Sequence, residues 1–61
     1  MTSLRKYLRF VEALEPAYSA STSLGYLVLV HWDSGWAVAY GLTETEALLE
    51  ARKAALRQVL S

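Results

Sequence analysis

Two different periods of apolar and polar residues run along this chain. Leu4, Tyr7, Leu8, Val11 and Leu14 recur at three- and four-residue intervals, with Arg5, Lys6, Arg9 and Glu12 off that line. Such spacing puts the apolar set on one side of a helix. Thr2 or Ser3 offers a cap for its start. Pro16 cannot continue a helix and pushes Glu15 toward extended backbone. The pattern therefore predicts a helix over residues 4–14. Residues 17–23, AYSASTS, are small, hydroxyl-rich and weakly patterned, and fit an edge strand or a loop.

The period then changes. Residues 26–32 and 36–40 are rich in Val, Leu, Tyr and Trp, and Asp33-Ser34-Gly35 separates them. A three-residue connection ending in glycine fits a type I turn followed by a left-handed residue, the G1-bulge hairpin. Gly41 breaks the second strand. Thr43 follows as an N-cap with Glu46 three residues on, the spacing of a capping box. Glu44 and Glu46 suit the positive start of a helix, and Arg52, Lys53 and Arg57 suit its negative end. The strong helix formers from Glu44 onward predict a second helix over residues 44–60. The order α-β-β-β-α defines an α+β class: a three-stranded antiparallel sheet with two helices on one face, in a single domain of 61 residues.

That architecture raises a question of coverage. Side chains alternate along a strand. Tyr26, Val28, Val30 and Trp32 share one side, and a three-residue loop adds Trp36, Val38 and Tyr40 to them. Leu27, Leu29, His31, Ala37 and Ala39 take the other side. Both sides are apolar, whereas a half-exposed sheet has one polar face. Helices on the Leu/Ala side leave the aromatic side open; helices on the aromatic side leave a Leu/Ala patch. Either remainder is a contiguous apolar surface of the kind that marks an interface. In the second helix, Ala47, Leu48, Ala51, Ala54, Ala55 and Val59 form a core stripe. Leu49, Leu56 and Leu60 lie about 100° away as a second seam, which either wraps the core edge or meets another subunit.

Composition favours an oligomer. The apolar content of 54% exceeds the usual range, and so short a chain is marginal without a staple. There is no cysteine and one histidine, His31, so disulfides, thiolate chemistry and multi-histidine metal sites are excluded, and no cofactor is expected. Six basic residues balance six acidic ones, which disfavours a general polyanion binder. No apolar run approaches a membrane span. The basic N-terminus lacks the apolar segment of a secretory signal, and a cytoplasmic location is expected. Arginine outnumbers lysine, and asparagine and isoleucine are absent, as in proteins of GC-rich bacterial genomes.

Two resemblances accompany these patterns. The run Thr43-x-x-x-Ala47-x-x-x-Ala51-x-x-x-Ala55-Leu56-x-x-Val59 resembles the last helix of the double-stranded RNA-binding domain, and Pro16-Ala17-Tyr18 looks like that family's Pro-x-Tyr. The resemblance implies the same helix–three strands–helix order. The family's phosphate-binding lysines correspond to Glu44, Thr45 and Leu48 here, so the resemblance implies a degenerate member that binds protein instead of RNA. Gly41-Leu-Thr-Glu-Thr-Glu-Ala-Leu is similar to a segment of HicB-like antitoxins, which implies a small toxin as partner. The Pro-rich strand preceding that segment in the antitoxins is lacking, and an N-terminal helix is added.

Catalytic chemistry finds little support. His31 and Asp33 lack a paired nucleophile, and Glu50 with Lys53 reads as a helix-surface pair. The aromatic hairpin lacks the basic flanks of a single-strand binding platform. Arg5, Lys6 and Arg9 form the one basic cluster, the site of any nucleic-acid contact. The expectation is a non-enzymatic interaction or regulatory module, a homodimer joined through Tyr26, Val28, Val30, Trp32, Trp36, Val38 and Tyr40 or through Leu49, Leu56 and Leu60, with a heterologous protein as a further partner.

Overall fold

A computed structural model describes residues 2–61, with side chains from residue 5 onward. The order is α1 (Thr2–Glu12), β1 (Tyr18–Thr22), β2 (Gly25–Trp32), β3 (Gly35–Gly41) and α2 (Glu44–Leu60). This is the α+β arrangement read from the sequence, an open antiparallel sheet in the order β1-β2-β3. Regular α1 ends two residues before the expected point. Ala13 N–H is shared between the carbonyls of Arg9 and Phe10, and Leu14 N–H reaches back to Val11, so the last turn tightens before Pro16. Capping by Thr2 or Ser3, and the place of Leu4 in the stripe, concern side chains outside the described residues. The ambiguous AYSASTS segment supplies an edge strand, anchored where Ala17 N–H donates to the Leu29 carbonyl at 2.8 Å.

The β2–β3 hairpin departs from expectation. Trp32 pairs directly with Gly35, so the turn has two residues instead of three. Neither turn residue nor Gly35 has positive φ, which excludes the left-handed glycine of a G1 bulge. Because the side-chain period is two, one residue fewer in the loop turns every β3 side chain over. Ala37 and Ala39 therefore share the helix side with Val30 and Val28, their cross-strand partners. Trp36, Val38 and Tyr40 stand on the far side with His31, Leu29 and Leu27.

Packing explains why this parity wins. The buried stripe of α2 is Ala47, Ala51 and Ala55, all without solvent exposure. A helix of small residues approaches a sheet closely only where the sheet is also small. Ala37, Ala39 and Gly41 provide that floor. A Cβ at Gly41 would stand 2.8 Å from the Ala47 Cα, so this contact tolerates no side chain. Val28 and Val30, fully buried, complete the centre with Val11 and Leu14 of the first helix and its exit turn. Phe10 meets Trp32 edge-to-face with centroids 5.9 Å apart.

Two polar devices fix the helices. Thr43, in extended backbone, accepts from Glu46 N–H at 3.1 Å. Among the described residues no return bond runs from the Glu46 carboxylate, so half of the capping box forms. Arg52 of α2 donates twice to the Leu14 carbonyl, through Nε at 3.2 Å and the terminal nitrogen at 2.7 Å. The guanidinium thus satisfies a free carbonyl just beyond α1 and places positive charge near the negative end of that helix.

Candidate interaction surface

Both helices pack on the side of Val28 and Val30, and no described residue covers the opposite side. The cross-strand pairs define this open face: Tyr18, Ala20 and Thr22 from β1; Leu27, Leu29 and His31 from β2; Trp36, Val38 and Tyr40 from β3. None of these nine is acidic, lysine or arginine. Tyr18 is 59% exposed, Trp36 60% and Tyr40 44%. Leu29 lies at the centre, between Tyr18 on one strand and Val38 on the other. One polar tie crosses the face. Thr22 Oγ1 donates to the Gly25 carbonyl at 3.0 Å, so its 2.8 Å bond to Tyr40 takes its proton from the Tyr40 hydroxyl. That bond spans all three strands and holds the Tyr40 ring against the face.

The composition of the surface corrects the expectation. Val28 and Val30 belong to the core, and Tyr26 and Trp32 are half-buried beside it. Their place is taken by Leu27, Leu29, Tyr18 and Ala20. The two-residue turn moved Trp36, Val38 and Tyr40 away from Val28 and Val30, so the observed face mixes the two expected ones. The signal that distinguishes them in sequence is the row Gly35, Ala37, Ala39, Gly41, which matches the alanine stripe of α2 and not an outward surface.

The leucine seam of α2 divides. Leu49 and Leu60 are each 51% exposed, whereas Leu56 is half-buried and packs against the core. Arg5, Lys6 and Arg9 are exposed on α1, across the sheet from Trp36 and Tyr40, so the structure does not bring the basic cluster and the open aromatic face together. Lys6 borders a groove of about 420 Å³ with Tyr7, Phe10, Trp32 and Val59, at the tip of the β2–β3 hairpin. His31 is exposed on the open face opposite Trp36, and Glu50 pairs with Lys53 at 3.1 Å on the surface of α2.

Among the described residues no three or more His, Cys, Asp or Glu side chains come together as a metal site, and no described helix is long and apolar enough to cross a membrane. No protein-family model, curated protein or solved structure matches the chain.

Proposed function

We propose that this protein is a non-enzymatic interaction module that self-associates by laying its open sheet face against the same face of a second copy. The observation that carries this reading is an apolar face without Asp, Glu, Lys or Arg, bearing Tyr18, Trp36 and Tyr40, that no described residue covers. At about 150–250 Å² per fully buried aromatic, the exposed fractions of these three leave roughly 350 Å² of ring surface in the open. That is as large as the biggest apolar patch of an ordinary monomer, about 300–600 Å². A face without Asp, Glu, Lys or Arg also meets its own copy without repulsion between such charges.

Size sets the strength. Three strands spaced about 4.8 Å apart and about seven residues long make a face near 14 by 23 Å. Each such face is roughly 320 Å², so stacking two covers on the order of 650 Å² in total, below the standard size for specific association. Weak, micromolar-range self-association is the expected result. Sedimentation velocity across a micromolar dilution series tests it: a mass above that of one chain, falling on dilution, supports the reading, and a single-chain mass throughout contradicts it.

A further inference from the structure

The third strand reads almost the same in both directions. Around Val38, the sequence Gly35-Trp-Ala-Val-Ala-Tyr-Gly41 places glycine against glycine, tryptophan against tyrosine and alanine against alanine. β3 is also an edge strand. Gln58 Nε2 reaches the Trp36 carbonyl at 2.8 Å from α2, so the backbone groups of Trp36 point away from β2. Along an antiparallel strand this direction alternates by residue, so Val38 and Tyr40 also present their N–H and C=O outward. Among the described residues no other hydrogen bond reaches those groups. The edge strand carries no proline and no charged side chain to discourage pairing. A trough of about 420 Å³ runs beside it, lined by Gly35, Trp36, Ala37, Val38, Ala54 and Gln58.

We infer that β3 pairs antiparallel with β3 of a second copy about a two-fold axis through Val38, joining two sheets into one of six strands. The inference rests on self-association as proposed above, and adds a second contact to the stacked faces. Val38 then exchanges both backbone bonds with its counterpart. Trp36 lies beside the partner's Tyr40 on the open side, and Ala37 lies beside the partner's Ala39 under the helices.

A separate feature of α2 agrees with this axis. Gly41 packs on Ala47, and Gln58 meets Trp36, so helix and strand run side by side in opposite directions. The helical rise from Ala47 to Gln58 is about 16 Å, equal to the strand length from Gly41 to Trp36, about 16 Å. The level of Val38 therefore falls at Lys53 and Ala54. A two-fold axis there sets Glu50 opposite the partner's Arg57, twice, with the small Ala54 at the centre. Because α2 lies over β2 and β3, it stands about one strand spacing from the axis, which puts the two helices about 10 Å apart, the distance of packed helices. Edge pairing and face stacking use different surfaces. Together they close at four copies, two six-stranded sheets face to face with helices outside, and the stacked area doubles.

Charge exchange on α2 tests the edge contact without touching the open face. The background is Leu29→Lys, which removes the face contact, and circular dichroism confirms that each variant is folded. Sedimentation equilibrium should then show an edge dimer that Glu50→Arg or Arg57→Glu weakens about tenfold, since each places like charges opposite one another twice. The double exchange should restore it to within about threefold. Silent single exchanges, or a double variant as weak as either single, would overturn edge pairing. If Leu29→Lys alone is already monomeric, edge pairing fails while face stacking stands. If Leu29→Lys sediments like the natural chain and the exchanges act, face stacking fails and edge pairing stands. As an independent measurement in the same Leu29→Lys background, Val38→Cys in this cysteine-free chain should give a disulfide-linked dimer under mild oxidant, and Tyr18→Cys on the opposite edge should not. Equal cross-linking at the two edges would also overturn the inference.

Discussion

Val28 and Leu29 are adjacent in sequence and face opposite ways, so the same substitution at each should have opposite consequences. Val28 is fully buried beneath the alanines of α2. Lysine there forfeits about 1.5–3 kcal/mol of side-chain burial and confines a charge that no described acidic group accompanies. A 61-residue domain has in total only about 3–9 kcal/mol of stability. Val28→Lys should leave the chain unfolded, with its far-ultraviolet circular dichroism lost at room temperature. Leu29 is half-buried on the open face, where a lysine extends its ammonium into water along its own stem. The monomer should lose no more than about 1–2 kcal/mol in urea titrations, roughly the value of part of one leucine. Association should suffer far more. Leu29 sits at the middle of the face, where hot spots concentrate, and stacking would bury two unpaired ammonium groups at several kcal/mol each after relaxation. The face contact should weaken by more than about a hundredfold. A Leu29→Lys variant that sediments like the natural chain would refute the stacked face. A Val28→Lys variant as stable as the natural chain would refute the strand parity beneath it.

Three other outcomes follow from the packing. Arg52→Met should lower stability by about 1.5–3 kcal/mol in urea unfolding, because the Leu14 carbonyl loses two charge-assisted bonds. Thr43→Ala should cost about 1 kcal/mol by the same measurement, the usual value of an N-cap. Leu60→Glu should leave both the sedimented mass and the urea midpoint unchanged within about 0.5 kcal/mol, since Leu60 lies half in solvent away from the open face, and a drop in mass would reinstate the α2 seam as a subunit contact.

Elements with a strong local signal were legible in the sequence. The second helix carries its cap, its charge gradient and its alanine stripe in consecutive residues, and it starts at Glu44 as the threonine cap requires. Pro16 marked the end of the first helix to within two residues. The presence of an uncovered apolar face was legible too, because both sides of the hairpin are apolar. Which residues make up that face was not. Asp33-Ser34-Gly35 fits a three-residue loop by composition, and its actual length follows from tertiary packing: a two-residue turn puts Ala37, Ala39 and Gly41 on the same side as Val28 and Val30, so that both sets lie under Ala47, Ala51 and Ala55. A choice of one residue in the turn thereby exchanged three residues of the surface for two of the core. The contribution of β1 was equally hidden, since Tyr18 and Ala20 reach the open face through pairing with Leu29 and Leu27, a non-local register that the weakly patterned AYSASTS does not announce. The Arg52 contact to Leu14, 38 residues apart, has no local signature at all.

Whether a second copy covers the open face is read most directly by mixing isotopically labelled and unlabelled chains and recording isotope-filtered nuclear Overhauser effects at millimolar concentration. Methyl groups of Leu27, Leu29 and Val38 in one chain should give cross-peaks to the rings of Tyr18, Trp36 and Tyr40 in the other. Absence of any intermolecular cross-peak, or cross-peaks confined to Leu49 and Leu60, would contradict the stacked open face.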